Sequence, residues 1–400
     1  MVFWTATGII ALDTVLFTMV VPALPEFAER DGFSTAVAAL VFAAFPVGQF
    51  ATALLAAGLV DRIGRRPVLV MAVVALAVAT LAFSVASGAG PLALARLAQG
   101  AAAGFVWTAG LAAISDVYPV DQLGFRIGLA ETAGGAFGLA GPLAAGALIE
   151  AVGTTATFAM AAALPALALG PALAMPETRR SATVSGPRLL PALARVARVP
   201  RARVAFVALG AVAAVLALVE PLLPLDLDER LGLSALGIGL VFSAGLLAYF
   251  ASVPLAGRWS DRRGRRLPAL VGGALIVVAL PFTAIGPAWA VAIAFAIVGA
   301  GMAGLGASTG ALMVEAVDEA GMAGRYGLSS ALLTIVFSLG YVLGPLLGAA
   351  GSAVMPFTAT TVLAAGGVLV VVAWIARALP ANERPASPLA AGPKGGPHPR

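Results

Sequence analysis

Cysteine is missing from the 400-residue chain, and histidine occurs once, as His398. The first absence excludes disulfides, iron–sulfur clusters and thiolate metal sites. The second leaves the body of the chain without an imidazole proton relay or a His-based metal site. Lysine is nearly missing too: Lys394 is the only one among 24 basic residues. No phosphate-binding loop with its lysine can be written, so ATP-driven work by this chain alone is not expected. Charge as a whole is scarce, at 11% of residues, where soluble domains carry about 25%. What fills the space is apolar: 60% hydrophobic residues and a mean hydropathy of +1.00. That is more apolar surface than one core can hide, and it points to lipid as the solvent. The net charge of +5 comes from Arg in short runs between apolar segments, which fits a membrane surface and not a nucleic acid.

Apolar segments long enough to cross a hydrocarbon core of ~30 Å fall at roughly 3–25, 35–59, 67–88, 91–114, 126–149, 153–175, 204–225, 236–257, 267–287, 289–314, 327–349 and 353–376. The expected architecture is an all-α membrane protein of twelve spans in two pseudo-symmetric six-helix bundles. The first span lacks a basic leader and carries Asp13 in its middle, so it reads as a span and not a cleaved signal peptide. Loop arginines set the orientation. Arg62, Arg65, Arg66, Arg126, the arginines of 176–203, Arg258, Arg262, Arg263, Arg265, Arg266, Arg325 and the tail lie on one side. Arg30 and Arg230 alone face the other. The expectation is a multi-pass protein of the inner (cytoplasmic) membrane with both termini and the 176–203 loop on the cytoplasmic side. The chain then divides into a bundle over 1–175, a basic loop over 176–203, a second bundle over 204–376 and a Pro/Gly/Ala-rich tail over 377–400 that reads as disordered.

The halves repeat each other. "AGLVDRIGRR" (57–66) follows span 2 and "GRWSDRRGRR" (257–266) follows span 8. "VPALP" (21–25) ends span 1 and "EPLLP" (220–224) ends span 7. "GPLAAG" (141–146) in span 5 has its counterpart in "GPLLGA" (344–349) in span 11. All three pairs lie near one offset, as a tandem duplication requires, and parallel repeats with a site between them are a transporter architecture. On these residues the chain resembles the major facilitator superfamily over about 1–376. The decapeptides are similar to its loop motif G-x-L-x-D-R-x-G-R-R, with Ala57 in place of the first Gly. "RLAQGAAAG" (96–104) is similar to its fourth-helix motif R-x-x-Q-G. Gly141, Pro142 and Gly146 match its antiporter motif G-P-x-x-G-G, with Ala145 in place of one Gly. The resemblance implies the drug:proton antiporter group. "LDTVLFTMVVPALP" (12–25), "LVEPLLP" (218–224) and "YGLSSALLTIVFSLGYVLGP" (326–345) resemble the vesicular amine transporters. Two ionisable positions of that group fall on Phe45 and Thr334, so a monoamine substrate does not carry over.

A charge in mid-span costs about 2.5–3.5 kcal/mol on insertion scales and marks a candidate site. Asp13 in span 1 and Glu220 near the outer end of span 7 occupy equivalent helices and can face one cavity. Burial favours the neutral carboxyl, so each can hold a proton or trade it for a cation. Packing against a neighbouring helix is the structural alternative. Glu131, early in span 5, can join them, snorkel to the interface or pair with Arg126. Arg96 and Gln99 lie one turn apart on span 4; Arg keeps its proton and can bias a neighbouring acid or satisfy backbone carbonyls. Phe17 and Tyr341 are candidate cavity walls for a lipophilic cation. Asp61, Arg62, Gly64, Arg65 and Arg66, with their copies Asp261, Arg262, Gly264, Arg265 and Arg266, anchor topology. By the resemblance they also form a latch in which Asp61 pairs with a partner helix end in one state. Glu315, Asp318 and Glu319 close span 10, and the residues do not choose among them. Pro22, Pro25, Pro221 and Pro224 break hydrogen-bond ladders at the outer ends of spans 1 and 7, Gly141–Pro142 and Gly344–Pro345 do the same in spans 5 and 11, and all are expected to supply bends. "GAGMAG" (299–304) and "GASTG" (306–310) imitate nucleotide-binding and hydrolase motifs but lie inside a span, where small residues serve helix packing.

The function expected from all this is proton-coupled efflux of a lipophilic organic compound, cationic or neutral, by alternating access. The partners are protons, a small molecule and the bilayer. No nucleic acid, metal, cofactor or enzymatic activity is expected, and the chain is taken as a monomer. The alternatives are a symporter for a small metabolite and a non-transporting sensor or scaffold on the same fold.

Overall fold

The computed structural model describes residues 1–179, 189–322 and 326–380. Arg180, Arg188, Arg325, Arg384, Lys394, Arg400 and most of the tail lie outside the described residues. Among the described residues twelve helices are long and apolar enough to cross a membrane. They are span 1 Val2–Asp31, span 2 Thr35–Ala53, span 3 Arg65–Val85, span 4 Ala89–Val117, span 5 Phe125–Val152, span 6 Thr154–Ala174, span 7 Pro200–Leu231, span 8 Ala235–Arg263, span 9 Arg266–Ala284, span 10 Ala288–Glu319, span 11 Leu332–Ser352 and span 12 Phe357–Ala378. The expected spans are all present, and the two bundles of six follow in chain order. Within 176–203 a short helix, Leu189–Val196, forms and buries Ala192 and Val196 in the main core.

The duplication extends to single hydrogen bonds. Ser34 and Ser234 cap spans 2 and 8, each hydroxyl accepting from the N–H three residues on, Val37 and Gly237. Such a cap satisfies one of the orphan donors of a helix start. Just before them Gly32 and Gly232 end the preceding helices with φ of 68° and 60°, a left-handed conformation that glycine adopts without strain. Arg30 donates to the carbonyl of Ala86 at 2.8 Å, and Arg230 to that of Gly286 at 2.7 Å.

The prolines divide where the sequence treats them alike. Span 1 breaks into Val2–Thr18, a 3₁₀ turn at Val21–Ala23, and Leu24–Asp31. Span 5 loses its regular hydrogen bonding at Leu139, between Val120–Gly138 and Ala140–Val152, while the backbone there stays helical. Span 7 runs unbroken through Pro221 and Pro224, and span 11 through Pro345. In spans 7 and 11 each proline removes one N–H from the ladder, and the helix continues past it. In span 5 the loss has an identifiable remedy. Pro142 cannot donate to the carbonyl of Gly138, and that oxygen instead accepts from the Thr18 hydroxyl of span 1 at 3.0 Å.

Span 5 also carries the seam between the halves. A Cβ on Gly146 would lie 2.5 Å from the carbonyl oxygen of Ala235 in span 8, so the two backbones touch there. The Ser243 hydroxyl donates to the Leu139 carbonyl at 3.0 Å, and the Leu236 N–H to the Glu150 carboxylate at 3.1 Å. Span 11 packs on span 2 across the same seam. The named span 5–span 8 bonds run from the Arg-poor end toward the middle. At the Arg-rich end the named ion pairs each stay within one half. The halves are thus drawn together at the Arg-poor end.

A side chain at Gly146 must force spans 5 and 8 apart. Overpacking of this kind costs about 1–3 kcal/mol, enough to shift a two-state equilibrium by roughly 5- to 150-fold. Because the chain has no cysteine, a single Ser338→Cys in the cavity wall reports access. Gly146→Val in that background is expected to speed labelling by an impermeant maleimide from the Arg-poor side and slow it from the Arg-rich side. Unchanged labelling from both sides would show that this contact does not hold the seam.

Candidate functional site

One cavity of about 330 Å³ lies between the halves, lined by Asp13, Thr14, Phe17, Phe45, Gln49 and Glu131 from the first half, and by Glu220, Tyr249, Phe250, Phe295, Phe337 and Tyr341 from the second, among others. Its size and mainly apolar wall suit a small organic ligand. Two of its acids are almost fully enclosed, Asp13 at 2% exposure and Glu220 at 5%. Each has one partner. The Trp107 indole N–H donates to Asp13 Oδ2 at 3.0 Å, and the Tyr341 hydroxyl donates to Glu220 Oε1 at 2.9 Å. The other oxygen of each carboxyl has no hydrogen bond. Buried polar atoms are rarely left so, and these two call for a ligand, a proton or a water. Glu220 sits further from its helix end than expected, because span 7 continues to Leu231.

Behind this wall Arg96 is fully buried. Its guanidinium lies over four phenylalanine rings, 4.7 Å from Phe45, 5.5 Å from Phe17 and from Phe42, and 6.0 Å from Phe83. Ring faces attract a cation, more strongly out of water. Its Nη1 donates to Gln99 Oε1 at 3.1 Å, Gln99 Nε2 donates to Thr80 Oγ1 at 3.1 Å, and the Thr80 hydroxyl donates to the Leu76 carbonyl at 2.8 Å. Nε and Nη2 have no partner. Arg96 attracts both Asp13 and Glu220 electrostatically. An isolated buried cation would be very costly; rings, amide and two acids share the task of holding this one. Phe17 and Tyr341 meet at 6.0 Å between ring centroids, so the expected walls touch across the two halves.

Glu131 lines the cavity and is exposed within it. The expected pair with Arg126 does not form: Arg126 lies over the Tyr118 ring, 4.5 Å from its centroid, and also over Phe3. Gly141 packs on span 1, where a Cβ would collide with Thr18 Oγ1, while Pro142 and Gly146 face span 8. Gly141, Pro142 and Gly146 thus bind spans 1, 5 and 8 together near the cavity and do not line it.

The loop motif is built twice at the Arg-rich end. Arg65 pairs with Asp61 at 3.0 Å and reaches Asp116 at the end of span 4 at 2.7 Å. Arg265 pairs with Asp261 at 2.7 Å and with Glu315 of span 10 at 3.1 Å. The arginine, not Asp61, makes the bond to another helix, and that helix belongs to the same half. Asp61 is 65% exposed. Of the three acids closing span 10, Glu315 is tied to Arg265 and Glu319 pairs with Arg201. Gly64 and Gly264 take φ of 115° and 82° between the paired helices. Arg62 gives its carbonyl to Arg179 at 2.7 Å, and Arg266 donates to the Ala376 carbonyl at 2.8 Å. Arg262 is exposed. Glu177 accepts from the backbone N–H of Arg65 at 2.9 Å and of Arg66 at 3.1 Å, capping span 3. Burial pushes its carboxyl up, but the N–H groups of Arg65, Arg179, Arg66 and Thr178 outweigh that and hold it below the usual range.

Trp107, Asp116 and Glu177 escaped the sequence reasoning. Trp107 stands eleven residues after Arg96, three helical turns along the same face, and a buried indole N–H seeks an acceptor. Asp116 is the repeat partner of Glu315.

Three outcomes are expected. Trp107→Phe leaves Asp13 with neither oxygen bonded and lowers stability by about 1–3 kcal/mol, read as a lower thermal midpoint. Arg65→Gln lowers the midpoint more than Asp61→Asn does, since the latter alters only a mostly exposed pair; the reverse order would place the motif's strength in the aspartate. Glu177 is more acidic folded than unfolded, so its contribution is present above the unfolded pKa and lost as pH falls through the depressed folded value. The gap in midpoint between wild type and Glu177→Gln therefore closes as the pH is lowered.

The sequence pattern of the Major Facilitator Superfamily matches residues 6–219 and again 205–398. An "MFS-type transporter ppzB" of Metarhizium majus is 27% identical over 84% of this chain and 90% of its own length. "Multidrug resistance protein MdtG" of Citrobacter koseri is 27% identical over 90% of each. The crystal structure of a bacterial homologue of the human lysosomal transporter Spinster, inward-facing and occupied, superimposes with a TM-score of 0.76 at 16% identity, over 94% of this chain and 96% of that one. That last likeness is one of fold.

Proposed function

We propose, from the premise that this chain belongs to the major facilitator superfamily and is a multi-pass membrane transporter, that it exports a lipophilic organic compound, cationic or neutral, in exchange for protons. The observation that carries the reading is the pair of enclosed carboxyls, Asp13 and Glu220, one from each half, each with one oxygen unbonded at the same cavity. Arg96 supplies one fixed positive charge between them. Both acids ionised leave the group one charge short of neutral. A single proton, or a single cationic cargo, restores the balance, and the two exclude each other on charge grounds. That exclusion is the physical content of antiport. Aromatic walls from both halves receive the apolar body of the cargo.

In this reading the halves, 1–175 and 204–376, rock about the midplane site. Their seam at the Arg-poor end opens and a matching seam at the Arg-rich end closes. In this reading the basic residues mark that end as the cytoplasmic one. The wider likeness to drug:proton antiporters and vesicular amine transporters, and the name of the relative MdtG, lean the same way on direction. Glu131, accessible in the wall, is a third acid positioned to pass protons to the cavity.

Everted vesicles holding the protein, with tetraphenylphosphonium as the cargo probe, test this directly. An imposed pH gradient is expected to drive uptake by wild type into such vesicles. Asp13→Asn is expected to abolish it while the folded protein is recovered in normal yield. Wild-type uptake indifferent to a protonophore would overturn the reading.

A further inference from the structure

Spans 5 and 8 touch from Gly146 and Ala235 as far as Leu139 and Ser243. Beyond that they part: among the described residues span 8 packs closely on Ala140–Val152 and barely on Val120–Gly138. One side chain crosses the gap that opens there. The Phe250 ring of span 8 reaches the backbone of span 5 at Gly135, where a Cβ would collide with the tip of the ring. Phe250 and Gly135 both line the cavity between the halves. Tyr249, also in the wall, packs edge-on against the same ring, with 5.0 Å between centroids and 85° between planes. The ring is thus a piece of cavity wall contributed by one half and seated on the other.

The internal repeat sets this pairing apart from the general scaffold. The spacing that relates Ser34 to Ser234 relates Phe50 to Phe250, and the spacing that relates Gly141 to Gly344 relates Gly135 to Ser338. Both halves carry a phenylalanine at this height, but Phe50 is not part of the cavity lining, and the position equivalent to Gly135 is a serine that is. The glycine stands on the one side where a ring enters the wall, and any side chain there would claim the space the ring fills.

We infer, resting on the proposed function only for the lipophilic character of the cargo, that Phe250 seated on Gly135 sets the largest cargo the cavity accepts. An apolar pocket discriminates by volume, and a single methylene too many shifts affinity by roughly 10- to 200-fold. The ring is the adjustable part of this wall, because the backbones behind it have already parted. Two substitutions then act in opposite directions. Phe250→Ala removes the ring and extends the cavity to the backbone of span 5, so larger cargo fits. Gly135→Ala fills the seat with a methyl group and pushes the ring back into the cavity, so larger cargo is refused. Where Phe250→Ala has already removed the ring, Gly135→Ala has nothing to displace, and the two effects do not add.

The test uses the full chain in detergent in the Ser338→Cys background, the chain having no cysteine of its own. The ratio of labelling rates with fluorescein maleimide and with the much smaller N-ethylmaleimide reports the space available without assuming any cargo. Phe250→Ala is expected to raise this ratio about 10-fold, and Gly135→Ala to lower it. Gly135→Ala added to Phe250→Ala is expected to leave the ratio where Phe250→Ala alone sets it. Phe250→Leu is expected to fall between wild type and Phe250→Ala, and it keeps the test decisive should Gly135→Ala not fold. The affinity for tetraphenylphosphonium relative to tetraethylphosphonium is expected to follow the same order. Labelling ratios that follow the order while neither cation binds support the size limit and count against a cationic cargo, so the two readings fail separately. Equal labelling ratios in all variants, a Gly135→Ala effect that persists without the ring, or an unchanged affinity ratio for cations that do bind overturns the inference.

Discussion

A guanidinium with no access to water needs its charge answered by its surroundings, and much of this molecule is arranged around that demand. Arg96 reaches four aromatic faces, one amide oxygen and the field of two acids. None of these is sufficient alone. The rings hold it in a low-dielectric place, Gln99 and Thr80 fix its direction, and Asp13 and Glu220 supply negative charge. The acids sit in opposite halves, so the charge balance of one site depends on how the two bundles are placed. An electrostatic account of that kind joins protonation, cargo and conformation without any further machinery.

The scaffold explains why such a site can be both tight and mobile. Within each half, helices approach through small residues and share bonds, as when Thr18 takes over the carbonyl that Pro142 cannot serve. Among the described residues the seam between halves near the Arg-poor end has few polar bonds, those from Ser243 and Leu236 to span 5 among them. Bundles held firmly inside and lightly across are suited to moving as units. The paired motifs at the Arg-rich end serve the same division. Arg65 and Arg265 each bind acids of their own half.

Much of this was legible in the sequence because membrane burial leaves a strong signature. Twelve apolar segments, a 21-to-2 split of basic residues between the two sides and three repeated motifs lead to the fold without coordinates. Asp13, Glu220 and Arg96 stood out because an ionisable residue in lipid is expensive. Other features were not legible. Pro221 and Pro142 look alike in the chain; only the approach of span 1 shows that the carbonyl Pro142 leaves free is taken by Thr18. The pairing of Arg126 with Glu131 was plausible by spacing and lost to the face of Tyr118. Trp107 was passed over because an aromatic in a membrane span is usually packing; only the three-dimensional approach of spans 1 and 4 turns it into a donor for Asp13.

The central claim is that proton and cationic cargo compete for the same deficit of positive charge beside Arg96. It is tested most directly without membranes or gradients, by following protons released when tetraphenylphosphonium is added to the purified protein in weakly buffered detergent near neutral pH. The account predicts release on binding, in proportion to the cargo bound and absent from Asp13→Asn, Glu220→Gln. Saturable binding of the cation with no proton released would contradict it.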